Sequence, residues 1–360
     1  MTNDSSQLLI QHLVFESANF SHSDEEWELL VRQARAANVL SRLVFFWKRF
    51  ELFQPPPCVV KHLISADKYW QSQKRIVDWE LHNLKTVFEQ LQIPLILLKG
   101  TAYSAADLNA GFGRVFSDID ILVPEQRLRE IKDALKWNGW FPERLNSYDQ
   151  RYYEHWMHEL PPLRHIKRGT SLDVHHNILP RTCALCPNPE LLLASVVEIP
   201  NKGIWMLAPE DMILHSACHL FWGGEFENGL RDLSDIDLLL REFSNRDACF
   251  WQKLLKRAEV LKLQRPLLYA LACSRKILNT PLSGEVNIAV GSFGERFGNK
   301  IIITFFLKVL RPHHPTCEDY LTGFARWMLY VRSHWLKMPF YLLIPHLFRK
   351  AWLRIITNEE

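Results

Sequence analysis

In the N-terminal part of the chain, apolar side chains recur at three- and four-residue steps. Trp27, Leu30, Val31, Ala34 and Ala37 form one such stripe. Asp24-Glu25-Glu26 ahead of it puts acids where a helix N-terminus favours them. A second helix is predicted over Leu40 to Phe53, stopped by Pro55-Pro56-Pro57, and a long third from about Val59 to Leu91, ending before Pro94. The period then changes. Leu95 to Leu98 is a short, wholly apolar run, as expected of a strand buried on both faces. Gly100-Thr101 is a small turn at the head of a helix-like segment, Ala102 to Leu108. Gly111 and Gly113 break the chain, and Phe116 to Val123 reads as a second strand.

Glu125 to Asn138 is amphipathic, with Leu128, Ile131, Leu135 and Trp137 toward a core and Gly139 as its C-cap. Trp156, His158 and Leu160 suit the start of a strand returning to the sheet, and Ser171 to Ile178 alternates with a period of two. Helices follow, one from Pro209 through Leu220 and one from Leu230 to Glu242. Further helical segments are broken at Pro266 and Pro281. Helical flanks around a few strands predict an α+β fold.

Composition narrows the classes. The 360 residues suffice for one large or two modest domains, and a net charge of +3 is too small to argue for nucleic acid. Seven scattered cysteines speak for a reducing compartment rather than a disulfide framework. The N-terminus lacks a signal-peptide pattern, and no apolar run reaches the roughly 18–20 residues of a spanning helix. These features together point to the cytoplasm. No basic patch interleaved with aromatics marks a nucleic-acid groove.

The sharpest chemical signal is Asp118-Ile119-Asp120. Residues two apart in a strand share a face, so both carboxylates point one way while Ile119, Ile121 and Val123 point the other. Such a pair repels itself unless a cation lies between, and Mg²⁺ suits carboxylates combined with phosphate oxygens. Asp173 and His175 likewise share one face of their strand, with Leu172 and Val174 on the other. Gly100 would let the backbone approach a phosphate, and Thr101 adds a hydroxyl. Arg114 offers a planar guanidinium.

The order strand, Gly-Thr, helix, Asp-x-Asp resembles the nucleotidyltransferase fold of the DNA polymerase β superfamily. A bacterial family of uncharacterised nucleotidyltransferases is more similar still: Leu98-Lys99-Gly100, Arg114, Ser117-Asp118-Ile119-Asp120-Ile121-Leu122-Val123 and Asp173-Val174-His175 follow its pattern. The resemblance implies a small mixed-sheet nucleotidyltransferase core, residues 88–180, between helical regions at 1–87 and 181–360. It implies Asp118, Asp120 and Asp173 as catalytic ligands of one or two Mg²⁺ ions, with Asp173 also facing the acceptor oxygen. Lys99, Gly100, Thr101, Arg114 and His175 would surround the nucleoside triphosphate (NTP), with the helix N-terminus favouring its phosphates. The implied reaction moves an NMP to a hydroxyl on an unidentified small-molecule, sugar, peptide or protein acceptor. Gly-Thr replaces the Gly-Ser common in the superfamily but keeps the hydroxyl.

Plainer readings stand beside these. Lys99 reads first as a solvated strand end, Asp173 as a candidate surface carboxylate, and His175 equally as a hydrogen-bonded structural imidazole. Cys183-x-x-Cys186 near His175 and His176 is a weak zinc motif without a second pair. Arg231, Asp232, Asp235 and Asp237 read as a solvated helix face with i,i+4 pairs. A tRNA-modifying, toxin-like transferase and a non-catalytic nucleotide-binding scaffold are the competing functions. DNA is not an expected partner, and RNA is disfavoured. The apolar, aromatic tail Trp335 to Trp352, broken by Pro339 and Pro345, is expected to pack on residues 301–310, with weak membrane-surface contact as the alternative.

Overall fold

Helices pack around one mixed sheet in the computed structural model, which describes residues 6–14, 22–51, 54–143 and 157–337. The sheet has the order β3-β4-β5-β2-β1-β7-β6. Its strands are β1 (Ile96–Leu97), β2 (Ile119–Leu122), β3 (Trp140–Pro142), β4 (Leu163–His165), β5 (Ser171–His175), β6 (Val197–Ile199) and β7 (Ile204–Met206). β2 runs antiparallel to β1 and parallel to β5, so Asp120 lies beside Asp173 in register. β7 joins the far side of β1 in parallel, which carries the sheet beyond residue 180. Leu97, Ile121, Leu122, Leu172 and Val174 are fully buried. That is the near-continuous apolar character of strands covered on both faces, and Asp120 is the polar exception within β2.

Among the described residues, four helices precede the sheet: α1 (Ser6–Gln11), α2 (Asp24–Ala36), α3 (Leu40–Phe50) and α4 (Pro57–Gln90). Ser23 and Glu26 close a reciprocal capping box at the start of α2. α5 (Lys99–Ala105) follows β1, α6 (Leu128–Trp137) follows β2, and α7 (Pro189–Leu193) precedes β6. The C-terminal part contains α8 (Pro209–Gly223), α9 (Gly229–Arg246), α10 (Phe250–Val260), α11 (Gln264–Leu278), α12 (Gly284–Glu295), α13 (Phe297–Val309) and α14 (Tyr320–Lys337). α4 packs on α2, α3, α5 and α6, while α8 packs on α5, α9, α10, α11 and α14. A single apolar core therefore draws side chains from the N-terminal helices, the sheet and the C-terminal helices.

Several local expectations change. α5 begins at Lys99, three residues before the expected Ala102, because the strand-to-helix turn is made at Lys99 itself, with φ +47°. β2 starts at Ile119, so Asp118 sits on its approach. Trp137 is 90% exposed rather than core-facing, since α6 ends there; Gly139 follows the Asn138 cap with φ +89°. Pro266 lies in the first turn of α11, where a missing N–H breaks no helical bond. A bridge from Glu159 to His175 stands where the returning strand was expected; Trp156 lies outside the described residues. Of the tail, only Trp335 to Lys337 is described.

Candidate active site

β1 ends and α5 begins at a strained corner. Lys99 adopts a left-handed φ, a conformation that costs a non-glycine residue on the order of 1–3 kcal/mol. The surroundings hold it there: Lys99 Nζ donates to Asp120 Oδ1 at 2.7 Å across the β1–β2 pair. Lys99 is thus an ion-paired residue and not the solvated strand end that its position suggests. His175 Nε2, one strand further on, lies 3.0 Å from the same Asp120 oxygen. Burial opposes a charge on Asp120, but Lys99 and then His175 outweigh it and hold the carboxyl well below the usual carboxylate range. His175 responds in the opposite direction. Burial lowers it, yet Glu159, whose Oε2 lies 3.1 Å from Nδ1, together with Asp120 raises its pKa.

Asp173 has no such support. It is half-buried, it neighbours Asp120 in register, and its Oδ1 is buried without a hydrogen-bond partner. Burial, then Asp120, Glu159 and Asp118, push its carboxyl up to about 7. Asp118 completes the group and accepts from Ser117 Oγ at 2.9 Å. Asp118, Asp120, Asp173 and Glu159 therefore converge against Lys99 and, at most, one imidazolium. A cation is what this donor set lacks.

Asp118 and Asp120 reach a cleft of about 220 Å³ lined also by Lys99, Gly100, Thr101, Arg114, Glu225, Glu227, Asn228, Arg231 and Asp232; Asp173 and Glu159 lie behind Asp120 and do not line it. Thr101 is buried, and its hydroxyl has no partner. Gly100 makes room for Arg114: a Cβ there would lie 2.1 Å from Arg114 Nε. Arg114 is held from behind, with Nη1 2.6 Å from Asp235 Oδ2 and 3.3 Å from Asp232 Oδ1. Its guanidinium thus enters the cleft wall already paired, leaving Nε buried and without a partner. Gly100→Ala is expected to displace this mid-chain part of Arg114 and destabilise the protein by about 1–3 kcal/mol, measurable by denaturant titration.

The charges of α9 differ from their solvated reading. Asp235 and Asp237 are buried. Asp235 is shared by Arg114 and by Arg42 of α3, 2.7 Å from its Oδ1, and Asp237 accepts from Arg241 Nε and Thr280 Oγ1. Apart from Arg241, four residues on in the same helix, the partners come from distant segments, so helical spacing could not reveal the burial. His219 is a further cleft residue, and none of the motifs singled out in the sequence includes it. The Lys99 ammonium lowers its pKa, and the side chain is exposed rather than buried at the cleft. Its one sequence signal is the four-residue spacing of His215 and His219 on α8.

Among the described residues two clusters could hold a metal ion: Asp120 with Asp173 and His175, and His158 with Glu159 and His175. Cys183 and Cys186 belong to neither. Cys186 instead accepts from Asn177 Nδ2 and donates to the Leu179 carbonyl.

A family model described as uncharacterised nucleotidyltransferase matches residues 23–279, a span that contains every residue of the cleft. No curated protein and no solved structure matches the chain.

Proposed function

We propose that this chain, which belongs to the uncharacterised nucleotidyltransferase family, transfers an NMP from an NTP to an acceptor hydroxyl with Mg²⁺. The observation that carries the reading is the registered pair Asp120 and Asp173, with Asp118 alongside and an unpartnered buried oxygen on Asp173. These oxygens fit a hard cation. Asp118, Asp120 and Asp173 would hold one or two Mg²⁺ ions, which would supply charge stabilisation to the α-phosphate and the departing pyrophosphate.

The chain's own groups do the rest. Lys99 and His175 keep Asp120 ionised and fix its orientation. The acceptor oxygen bonds to the α-phosphorus, and the bond to the bridging α–β oxygen breaks. Pyrophosphate leaves with that electron pair, and the hydroxyl proton passes to Asp173. Thr101 Oγ1 donates to a phosphate oxygen. Thr101→Val should raise KM for the NTP about tenfold or more, since a hydrogen bond to a charged group contributes about 1.5–3 kcal/mol. Stability should not fall, because that hydroxyl has no partner in the free protein.

The decisive experiment incubates the protein with each α-labelled NTP, Mg²⁺ and cell extract, and then locates the label. Transfer to a small molecule or protein supports the reading. Label on RNA moves the acceptor to the tRNA class, and tight NTP binding without transfer by any fraction overturns catalysis.

A further inference from the structure

Behind the Asp120–Asp173 pair lies a second group of donors with a different chemistry. Glu159 bridges to His175 from the segment beside β5, which brings His158 with it. His175 Nδ1 and Glu159 Oε2 are 3.1 Å apart, and His158 Nε2 is 4.0 Å from the same oxygen. One donor atom from each residue lies within 4.8 Å of the others. A tetrahedral ion with bonds near 2.1 Å needs donors about 3.4 Å apart, so a small closure would satisfy it.

Two observations point to a ligand here. His175 is buried, with a side-chain exposure of 2%, and its Nδ1 makes no hydrogen bond; Glu159 is close but out of line for one. The other nitrogen of His175 is engaged, since Nε2 contacts Asp120 Oδ1 at 3.0 Å. An imidazole bound to a carboxylate through one nitrogen, with the other turned toward further donors, is the arrangement in which histidine ligates a metal.

We propose that His158, Glu159 and His175 form a transition-metal site of the zinc class, separate from the all-carboxylate site of Asp118 and Asp173 and joined to it through Asp120. Two imidazoles and one carboxylate suit Zn²⁺ or Co²⁺, whereas Mg²⁺ prefers oxygen donors and keeps its waters. His158 and Glu159 are 16% and 17% exposed, so the cluster is not sealed from solvent. The proposal does not depend on nucleotidyl transfer, and its readout is metal content.

The test uses the full chain without a histidine tag. Protein is stripped of metal, loaded with Zn²⁺ or Co²⁺, passed through a desalting column in millimolar Mg²⁺ and assayed for bound metal. About one equivalent should be retained, with a visible Co²⁺ spectrum of nitrogen ligation. His158→Ala and Glu159→Gln, each shown by circular dichroism to be folded, should weaken retention at least a hundredfold, and Asp118→Asn should leave it unchanged. The proposal is overturned if the wild type retains neither ion, if Mg²⁺ displaces it, or if Asp118→Asn abolishes retention. It is equally overturned if both folded cluster variants bind as the wild type does. The labelled-NTP assay is scored separately, so either reading can fail alone.

Discussion

Asp118→Asn and Asp173→Asn should each reduce transfer by about a thousandfold or more while leaving the fold intact. Each removes an anionic ligand from the proposed Mg²⁺ site, a loss of several kcal/mol of transition-state stabilisation, at about 1.4 kcal/mol for each factor of ten. Among the described residues neither carboxylate is ion-paired, unlike Asp120, whose loss would leave Lys99 without its partner. Asp173→Asn has a further consequence for stability, and its response to Mg²⁺ separates a metal role from a purely structural one. The folded-state pKa of Asp173 is about 7, raised from the ordinary value of 3.8. A carboxyl raised on folding favours the protonated protein, so its ionisation reduces stability as pH climbs from about 4 to 7. Metal-free Asp173→Asn should therefore gain melting temperature over the wild type as pH rises through this window. Millimolar Mg²⁺ should narrow the gap by stabilising the wild type. Full transfer activity in both variants, or a gap that ignores both pH and Mg²⁺, would remove Asp173 from the proposed metal site.

The second large effect is on stability. Arg42 is almost fully buried, meets Asp235 at 2.7 Å and donates to Ser234 Oγ and to the Ala110 carbonyl. Burial lowers its pKa, and Asp235 opposes that shift. Removing one member of a buried pair strands the other charge and costs about 3–5 kcal/mol. Asp235→Ala should lose that much by chemical denaturation, because it abandons both Arg42 and Arg114. Arg42→Ala should lose a comparable amount, since it also vacates a long side chain in the core. Losses below about 1 kcal/mol in both variants would mean that water reaches the network. Because Arg114 lies against Gly100, Asp235→Ala should also raise KM for the NTP, an effect that Asp237→Asn, on the other face of α9, should not share.

The chain carries its elements in its own spacing. The stripe from Trp27 to Ala37 becomes α2, the apolar run at 95–98 contains β1, and the alternation at 171–178 contains β5. Those patterns are local: a helix or strand face is set by residues three, four or two apart. The Asp118-Ile119-Asp120 motif and the Gly100-Thr101 turn are local in the same sense, and so both are legible in the order of residues alone. What surrounds them is not local. Whether Lys99 is solvated or bound to Asp120 depends on β1 pairing with β2, and the unpartnered state of Asp173 depends on β2 lying beside β5. The burial of Asp235 requires Arg42 and Arg114, separated from it by more than a hundred residues. A charge on a helix reads the same in sequence whether water or a distant guanidinium answers it. Only the tertiary packing decides which, because burial removes the water and makes the partner obligatory.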